Sequence, residues 1–543
     1  MLFNSPEFII FLLIVYSLYL LLPFRLQNYM LIVASYIFYG WWDTRFLFLV
    51  VLSTTVDYWV GLTMEYGRLD RVQCFVPAVF FVVCAVVFLG LPPNTLWPLS
   101  GGLDALAQTR PLLLGSSLIG SLAFVALAYG LYQVLTRLDE KRRRLFCVST
   151  SLTTQLGLLG FFKYYNFFTD SMHNALANIG INSSAWHLEI VLPVGISFYT
   201  FQSLSYTIDI YRRIIKPTPN FSEFAIFVAY FPQLQAGPIE RARHLIPQFA
   251  NPRRLDLDLS MRGLFLILLG YFKKVGIADG VAPVVDHVFN STGHVSWIDI
   301  IVAVVLFAVQ IYCDFSGYTD IARGISKMLG IDLMVNFNQP YFATNPQDFW
   351  RRWHISLSTW LRDYLYISLG GNHGNLGFIC RNLMITMLLG GLWHGAAWNF
   401  VLWGFYQGAI LCVYRIWSEY RAKPAAWAKS GLAHTALIVG FFAFVCYGWL
   451  LFRAHSFTQI AQFTTLLVTD FGNLDYGAGL PKFSSLLGMV LLLLMEIVQY
   501  RTNDPRYYRH LIPQVRGFQV AAMLTIILIG MSNDPAQFIY FQF

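Results

Sequence analysis

Residues 387–404 read MLLGGLWHGAAWNFVLWG, an apolar tract that carries no formal charge and holds one titratable side chain, the imidazole of His394. An ionisable group at bilayer depth is costly unless it is paired or faces a cavity, so such residues are functional candidates. Imidazole is also the side chain best suited to moving a proton near neutral pH. Two interpretations stay open on this tract alone: a proton-transferring histidine, and a structural histidine whose hydrogen bond locks two helices together.

The composition around this tract is that of a membrane protein. Of the 543 residues, 57% are hydrophobic and 17% aromatic, but only 12% are charged. Soluble globular chains carry about 25% charged residues. The mean hydropathy of +0.55 therefore indicates a polytopic membrane protein. Basic cytoplasmic loops account for the formal net charge of +8, and no feature of the sequence points to nucleic acid.

Fourteen apolar runs, about 20 residues long or somewhat shorter, predict an all-α polytopic protein with roughly 12–14 transmembrane segments. Repeated runs of this length exclude a transmembrane barrel, whose strands are about half as long. We find no soluble segment, so residues 1–543 are expected to form one membrane domain. The runs lie near residues 8–23, 28–42, 46–64, 74–93, 112–135, 145–168, 188–209, 261–280, 297–318, 376–392, 396–418, 432–453, 483–499 and 517–532.

Basic residues fall in alternate loops, which predicts the orientation of the chain. Under the positive-inside rule these loops are cytoplasmic and the N-terminus lies outside. Lys273 and Lys274 run against this pattern, because they are expected near the outward end of a span; snorkelling or a broken helix would resolve the conflict. The groups expected on the cytoplasmic side are Arg25, Arg68 with Arg71, residues 141–144, residues 212–216, Arg421 with Lys423, and residues 501–516.

Three segments do not look like simple spans. Residues 230–240 place two prolines and a glycine after a short apolar run, which predicts a re-entrant or broken helix that lines a cavity. Residues 312–320 place Asp314 and Asp320 at the end of a span. Residues 348–367 are amphipathic, with His354 between the two faces, and predict a helix along the cytoplasmic interface.

The sequence predicts no disulfide, no metal site and no cleaved signal peptide. The seven cysteines are scattered without a CxxC pair or a metal-spaced cluster, so they predict neither disulfides nor zinc ligands. No metal is expected at His394 or His354, because no third ligand accompanies them. Residues 1–7 lack a basic n-region and a cleavage site, so the first apolar run is expected to be a retained span.

The residues near His394 fit acyl transfer. A neutral imidazole can accept the proton of an acceptor hydroxyl while that oxygen attacks a thioester carbonyl. Asn399 has two open roles, donating to the developing oxyanion or joining two helices. On a continuing helix Trp398 would follow His394 by one turn, and Gly404 with Gly408 would form a small-residue face for close packing.

A coenzyme A thioester would bring phosphates to the site, and several cations are candidates to bind them. Guanidinium groups are well suited to this because their planar fork matches phosphate oxygens. Ordinary anchoring at the cytoplasmic interface is the competing explanation for the same residues. The candidates are Arg323, Lys327, Arg351, Arg352 and Arg362.

Several tracts together resemble the membrane-bound O-acyltransferase (MBOAT) superfamily, in particular its bacterial alginate O-acetyltransferase membrane-subunit branch. They follow one another in the order expected of that branch, and the resemblance covers most of residues 1–70 and 145–543. The tracts lie at residues 161–168, 192–202, 230–240, 312–320, 348–358 and 390–404.

The resemblance implies site residues and a fold. His394 falls in the Trp-His-Gly tract that carries the catalytic histidine, and His354 is the second family histidine, in a Trp-x-x-Trp-His tract. The family fold is a ring of tilted helices around a central tunnel, with re-entrant and interfacial helices. The further residues expected to bind substrate or donor are Arg351, Arg352, Arg323, Lys327, Trp393, Trp398, Asn399 and Asp314.

The resemblance also implies a reaction. Acetyl-CoA in the cytoplasm would donate an acetyl group without being tightly bound, and the protein, in the bacterial inner membrane, would pass that group outward. A periplasmic partner of the SGNH hydrolase type would then O-acetylate an alginate-like or cellulose-like exopolysaccharide made by synthesis or export machinery. Residues 72–144 depart from the family pattern by adding two apolar runs, which predicts an inserted pair of transmembrane helices that serves as a docking surface or faces lipid.

Other functions stay open on the sequence. The acceptor can instead be peptidoglycan, or the reaction can be D-alanyl transfer to teichoic acid. A protein of a different class, a proton-coupled secondary transporter, would use Asp314, Asp320 and His394 as a relay, and a scaffold for polymer export is compatible with enzyme activity. Within acyl transfer, His394 can act as a general base or can carry the acetyl group on a ring nitrogen.

Overall fold

The computed structural model describes residues 1–90, 111–181, 186–420, 431–531 and 538–539. Every regular element in these ranges is helical, and no strand occurs among them. The prediction of an all-α protein is therefore confirmed. Residues 91–110 of the 72–144 segment, and the basic residues Arg421 and Lys423, lie outside the described residues.

The described chain divides into two compact units. The first comprises Met1–Ser260 with Ser326–Leu333, and the second comprises Met261–Ile325 with Met334–Phe543. The single domain expected from the sequence, with its ring of helices and its tunnel, stays a prediction.

The α-helices of the two units are named here in chain order. In the first unit they are α1 (Pro6–Leu21), α2 (Phe24–Gly40), α3 (Leu47–Tyr66), α4 (Arg71–Gly90), α5 (Pro111–Leu135), α6 (Glu140–Leu159), α7 (Tyr165–Asn178), α8 (Ile196–Tyr211), α9 (Phe221–Ala229), α10 (Phe231–Leu234) and α11 (Ala242–Ala250). The remaining helices, which lie mostly in the second unit, are α12 (Leu257–Tyr271), α13 (Asp279–Phe289), α14 (Trp297–Met328), α15 (Pro346–Arg352), α16 (Ile355–Trp360), α17 (Leu376–His394), α18 (Trp398–Tyr420), α19 (Gly431–Arg453), α20 (Phe457–Thr469), α21 (Phe483–Thr502) and α22 (Pro513–Gly530).

The described residues contain 10 helical segments long and apolar enough to cross a membrane. Each of the predicted apolar runs contains a helix in its described part, although residues 188–195 are irregular, so the lower number reflects length and charge and not a missing element. Helices α1, α2 and α8 have only 16, 17 and 16 residues, or about 25 Å at 1.5 Å per residue, and the run at 261–280 contains Lys273 and Lys274. The chain is a multi-pass membrane protein.

The first unit is organised around α3, of which 83% of the apolar window is buried. Helices α6 and α8 pack against it, and polar side chains satisfy one another between the three. Gln155 donates hydrogen bonds to Ser53 at 2.6 Å and to Asp57 at 2.9 Å, and the hydroxyls of Ser151 and Thr207 lie 2.9 Å apart. Pairing of this kind offsets the cost of burying polar groups.

Residues 72–144 carry the two helices α4 and α5, which pack against each other. Only 11% of the apolar window of α5 is buried within the protein, so most of this helix is available to lipid. The predicted pair of spans is present, whereas its status as an insertion relative to the family stays a prediction.

The break expected at residues 230–240 is confirmed. Helix α9 ends at Ala229, Tyr230 leaves helical geometry with ψ 112, and α10 has only four residues. The whole segment is buried, and the Phe231 N–H donates to the Ser35 hydroxyl at 3.0 Å. Side chains thus satisfy backbone groups that the break releases, as membrane burial requires. The cavity that this segment was expected to line stays a prediction.

In the second unit, α12 and α14 approach to backbone contact. A Cβ added at Gly270 would lie 2.5 Å from the Gly317 carbonyl oxygen, and one at Gly324 would lie 2.6 Å from that of Gly263. Small residues permit such approaches between apolar helices. The close crossing brings side chains beside the glycines within ion-pair distance of each other.

Candidate active site

His394 is the last residue of α17. This helix begins where the Asn375 side chain accepts the Phe378 N–H at 2.8 Å, and it ends because Gly395 is extended, with φ −158 and ψ 151. Helix α18 begins only at Trp398, so the placement of Trp398 one turn after His394 on the same helix is wrong. A Cβ at Gly395 would lie 2.1 Å from the Phe400 ring, which explains why a glycine occupies this turn.

Helices α17 and α18 form a tight antiparallel hairpin. A Cβ at Gly391 would lie 2.2 Å from the Phe400 carbonyl oxygen, and one at Gly404 would lie 2.4 Å from that of Met387. A Cβ at Gly408 would lie 2.8 Å from the Met384 sulfur. The predicted small-residue face is therefore confirmed, and it holds the end of α17, with His394, against the start of α18.

Three aromatic rings surround the buried imidazole of His394. The ring centroids of Trp393 and Trp403 lie 5.0 Å away and that of Phe452 lies 5.3 Å away, with interplanar angles between 77° and 86°. These are edge-to-face contacts, the arrangement that aromatic quadrupoles favour. The Trp403 indole N–H has no hydrogen-bond acceptor among the described residues, so it is available to an oxygen atom of a ligand.

His354 lies in a short break between α15 and α16, with φ 42 and ψ 54. The side-chain oxygen of Asn336 accepts hydrogen bonds from the Ser356 N–H at 3.1 Å and from its hydroxyl at 2.9 Å, and it lies 3.2 Å from His354 Nδ1. The Ile355 N–H donates to the Asn336 carbonyl at 2.9 Å. Asn336 therefore fixes both the turn and the imidazole that the turn presents.

The continuous interfacial helix expected at residues 348–367 is wrong. The segment forms α15, α16 and a π-helical turn at Leu361–Tyr366, because left-handed backbone at His354 cannot continue an α-helix. Its two faces persist, since Phe349 and Leu357 are buried while Arg351 and Arg362 are exposed. His354 is fully buried and does not lie at the edge of the apolar face.

One tryptophan links the two histidines. The Trp393 ring centroid lies 5.0 Å from that of His394 and 5.9 Å from that of His354. On its far side His354 contacts the Phe315 ring at 4.7 Å. The structure thus brings His394, Trp393 and His354 into one aromatic cluster within the second unit.

Buried ion pairs lie beside this cluster. Lys274 Nζ is 2.8 Å from an Asp314 oxygen and 2.9 Å from an Asp279 oxygen, and Lys273 Nζ is 2.8 Å from Asp320. Both lysines are buried within the protein; their expected position near the outward end of a span stays a prediction. They belong to the π-helical turn Phe272–Ala278 in the middle of α12–α13, where each meets a carboxylate of α13 or α14.

The same network connects to the histidine cluster through α14. Tyr312 donates a hydrogen bond to Glu496, and its ring lies 6.4 Å from Trp353, the residue before His354. Asp314 also accepts the Ile539 N–H at 2.7 Å. Asp314 therefore contacts protein groups in this structure, and its role in binding substrate stays a prediction.

Comparison with known proteins assigns this chain to a family. Residues 211–455, which contain both histidines, match the model of the MBOAT, membrane-bound O-acyltransferase family. The chain is 37% identical over 464 residues to a probable alginate O-acetylase AlgI of Azotobacter vinelandii, a match that covers 84% of this chain and 76% of that protein. The chain belongs to the membrane-bound O-acyltransferase family. This membership makes it an O-acyltransferase and removes the transporter hypothesis.

Two further relatives of this acyltransferase carry related names. A probable alginate O-acetylase AlgI of Pseudomonas aeruginosa is 36% identical over 464 residues, covering 84% of this chain and 72% of that protein. A peptidoglycan O-acetyltransferase of Helicobacter pylori is 38% identical over 370 residues, covering 63% of this chain and 67% of that protein. The similarity therefore extends well beyond residues 211–455.

Most of the cations expected to bind donor phosphates in this acyltransferase already contact carboxylates. A phosphate would have to compete with these pairs or add to them. Arg351 is exposed, and no ion pair involves it in the described part of the chain; phosphate binding by all five cations stays a prediction. The observed pairs are Arg352 with Asp348 at 2.9 Å, Arg323 with Asp320 at 3.6 Å, Arg362 with Asp363 at 2.7 Å, and Lys327 with Asp332.

The contacts of Asn399 and the exposure of Trp398, both on α18, bear on the roles predicted for them. The Asn399 amide donates to the Ala454 carbonyl at 3.0 Å and to that of Phe452 at 3.4 Å, which is the helix-joining role considered above. Trp398 is 54% exposed, unlike the buried Trp393. The oxyanion role of Asn399 and the substrate contact of Trp398 stay predictions.

Sequence reasoning missed Asn336 and the partners of the buried lysines. Asn336 precedes His354 by 18 residues in an irregular segment, so no periodicity identifies it. Lys273 and Lys274 did give a signal, because two adjacent cations interrupt an apolar run, but only the fold shows which carboxylates they meet.

Proposed function

We propose that this acyltransferase is the membrane subunit of an O-acetyltransferase that takes an acetyl group from acetyl-CoA at the cytoplasmic face of the bacterial inner membrane. The group crosses the membrane and is used to O-acetylate an exopolysaccharide, alginate-like or cellulose-like, through a periplasmic SGNH-type partner. The supporting observation is similarity to alginate O-acetylases over 84% of this chain, together with a buried histidine cluster inside the matched region.

In this proposal a ring nitrogen of neutral His394 accepts the proton of an acceptor hydroxyl as the oxygen attacks the thioester carbonyl. The new carbon–oxygen bond forms, the carbon–sulfur bond breaks, and the leaving thiolate takes the proton from the imidazolium. The Trp403 N–H, which has no acceptor among the described residues, is a candidate donor to the carbonyl oxygen as it gains negative charge. His354 keeps Trp393 in place against His394.

A second polymer is a candidate for the acetyl acceptor. The 38% identity to a peptidoglycan O-acetyltransferase covers 67% of that relative, which favours peptidoglycan as the alternative polymer. D-alanyl transfer has less support, because the teichoic acid D-alanyltransferase of Bacillus subtilis is 28% identical and its match covers 49% of this chain.

The decisive experiment measures free thiol released from acetyl-CoA by purified wild-type protein and by His394→Ala, each with and without the SGNH partner. We expect His394→Ala to lose at least a hundredfold of the rate, since removing a general acid or base costs about 10²–10⁴-fold. His354→Ala should also lower the rate, because Trp393 is then no longer held against His394. His294→Ala, in an exposed loop, is the matched control and should retain the wild-type rate. Equal release by wild type and a well-folded His394→Ala would overturn the proposal.

The two chemical roles of His394 separate in a second measurement. Brief exposure to radiolabelled acetyl-CoA without acceptor, followed by denaturation, leaves label on the protein if a ring nitrogen carries the acetyl group. The general-base mechanism predicts no label on wild type and full activity when acceptor is present. Label that is found on wild type and lost in His394→Ala would replace it with the acyl-histidine mechanism.

A further inference from the structure

An apolar cavity of about 1040 Å³ lies among α3, α4, α5 and α6, in the first unit. It is lined along α3 from Leu52 to Thr63 and along α5 from Leu122 to Leu135. At 1.5 Å per residue these stretches measure about 16 to 20 Å. None of the candidate site residues lies in its wall, and two of its four walls are the helices of the 72–144 segment.

The cavity opens to the protein surface on the side of α4 and α5. Wall residues on the two outer helices are largely exposed, with 68% exposure at Phe75 and 73% at Leu127. Most of the wall is apolar, and both charged wall residues, Asp70 and Arg71, lie at one end. An apolar cavity does not hold ordered water, so in a bilayer a hydrocarbon chain is its natural occupant.

The charged end of the cavity carries an excess of arginines. Arg68 and Arg71 are exposed, and Arg143 lies beside the intervening loop, with Nη1 3.1 Å from the position of a Cβ at Gly67. The Asp70 carboxylate is engaged in capping α4, where it accepts the Gln73 N–H at 2.7 Å. The nearby carboxylates have cationic partners of their own, namely Glu65 with Arg144, Asp139 with Arg142, and Glu140 with Arg213.

We propose that this cavity is a binding site for an anionic phospholipid, with an acyl chain between α3 and α5 and the headgroup phosphate at Arg71 and Arg68. The length of the cavity matches an acyl chain that starts at the headgroup level, and the charged end supplies the counter-ions. Basic residues near a membrane surface attract anionic lipid in this way. The site also gives the 72–144 segment a role, because α4 and α5 form its outer wall.

The test is native mass spectrometry of the intact protein, purified in zwitterionic phosphatidylcholine with phosphatidylglycerol as the limiting anionic lipid. Wild type should retain phosphatidylglycerol in preference to phosphatidylcholine. Arg71→Gln should weaken retention about fivefold, the effect of one basic residue near the headgroups. Ala128→Trp, which fills the cavity from α5 without a change of charge, should abolish it.

Arg25→Gln is the matched control, because Arg25 is an exposed arginine of the first unit that does not line the cavity. It should bind as wild type does. Equal retention of the two lipids, or retention unchanged in both Arg71→Gln and Ala128→Trp, would overturn the proposal. Displacement of phosphatidylglycerol by a long-chain acyl-CoA, sensitive to Ala128→Trp, would overturn it in favour of a thioester site.

Discussion

At the scale of single residues, the backbone conformation of His354 is energetically unfavourable. Left-handed backbone disfavours a side chain with a Cβ by roughly 1–2 kcal/mol, and His354 adopts it with φ 42. The interactions that offset this come from Asn336, which accepts two hydrogen bonds from Ser356 and lies against the imidazole. A strained, buried residue held by a remote side chain is typical of functional sites.

Asn336→Ala should therefore lower acyl transfer without unfolding the protein. The substitution leaves the buried Ser356 N–H without its acceptor, at a cost of about 1–3 kcal/mol, and frees the His354 ring to turn. We expect the maximal rate of thiol release to fall about tenfold while the KM for acetyl-CoA changes little. Asn338→Ala, at a nearby exposed position, should leave the rate unchanged; an equal loss in both variants would contradict this role of Asn336.

At the scale of helices, glycines set how closely neighbouring elements approach. The hairpin of α17 and α18 depends on Gly391 and Gly404, and the crossing of α12 and α14 depends on Gly270 and Gly317. At each position the nearest obstacle to a Cβ is backbone, which cannot move aside as a flexible side chain can. These contacts place His394 and the buried lysines.

Gly404→Ala should separate α17 from α18 and lower both thermal stability and activity. The added methyl group would lie 2.4 Å from the Met387 carbonyl oxygen, and overpacking of this kind typically costs about 1–3 kcal/mol. Gly440→Ala is the matched control, because no atom lies within 4 Å of its Cβ position and alanine favours a helix. Thermal melts in detergent should show a fall for the first variant and none for the second. A fall of equal size in both would refute the close-packing argument.

The buried pair of Lys273 and Asp320 should behave as a unit. Removing one partner of a buried ion pair costs about 3–5 kcal/mol, whereas apolar replacement of both is often neutral. We expect Lys273→Met to be strongly destabilised and Lys273→Met/Asp320→Leu to recover most of the loss, which a double-mutant cycle of denaturation measurements quantifies. Additive losses in the two single variants would show that the 2.8 Å contact contributes no coupling.

At the scale of the whole molecule, the distribution of basic residues predicts the orientation in the membrane. The positive-inside rule predicts that the basic residues 141–144, at the start of α6, are cytoplasmic and that the nearly uncharged segment 281–296 is outside. Of that segment, residues 290–296 form a loop and the rest belongs to α13. Both regions are accessible, since Lys141 and His294 are exposed. The proposed direction of acetyl transfer depends on this orientation.

Single cysteines at these two positions, in a chain whose seven native cysteines are replaced, test the orientation. A membrane-impermeant maleimide added to cells with a permeable outer membrane should label His294→Cys. It should label Lys141→Cys only after the inner membrane is opened. The reverse pattern would invert the topology and exclude the proposed direction of transfer.

The sequence by itself determined where the long apolar helices lie and which histidine to examine. Each predicted apolar run contains a helix in its described part, because a bilayer requires every backbone group to be satisfied within the segment, and length and hydrophobicity are local properties. The same local argument singled out His394 as the one titratable group in its tract. The break at residues 230–240 was predictable for the same reason, since proline and glycine act locally.

Only the tertiary structure decided what those helices bring together. The turn at His354 depends on Asn336, the edge-to-face contact of His354 with Trp393 joins the α15–α16 break to α17, and Lys273 and Lys274 pair with carboxylates on other helices. Each of these contacts joins residues far apart in sequence, so its free energy is realised only once the helices have packed. A helical or apolar pattern in the sequence predicts that a face is buried, but it does not predict which residues pack against that face.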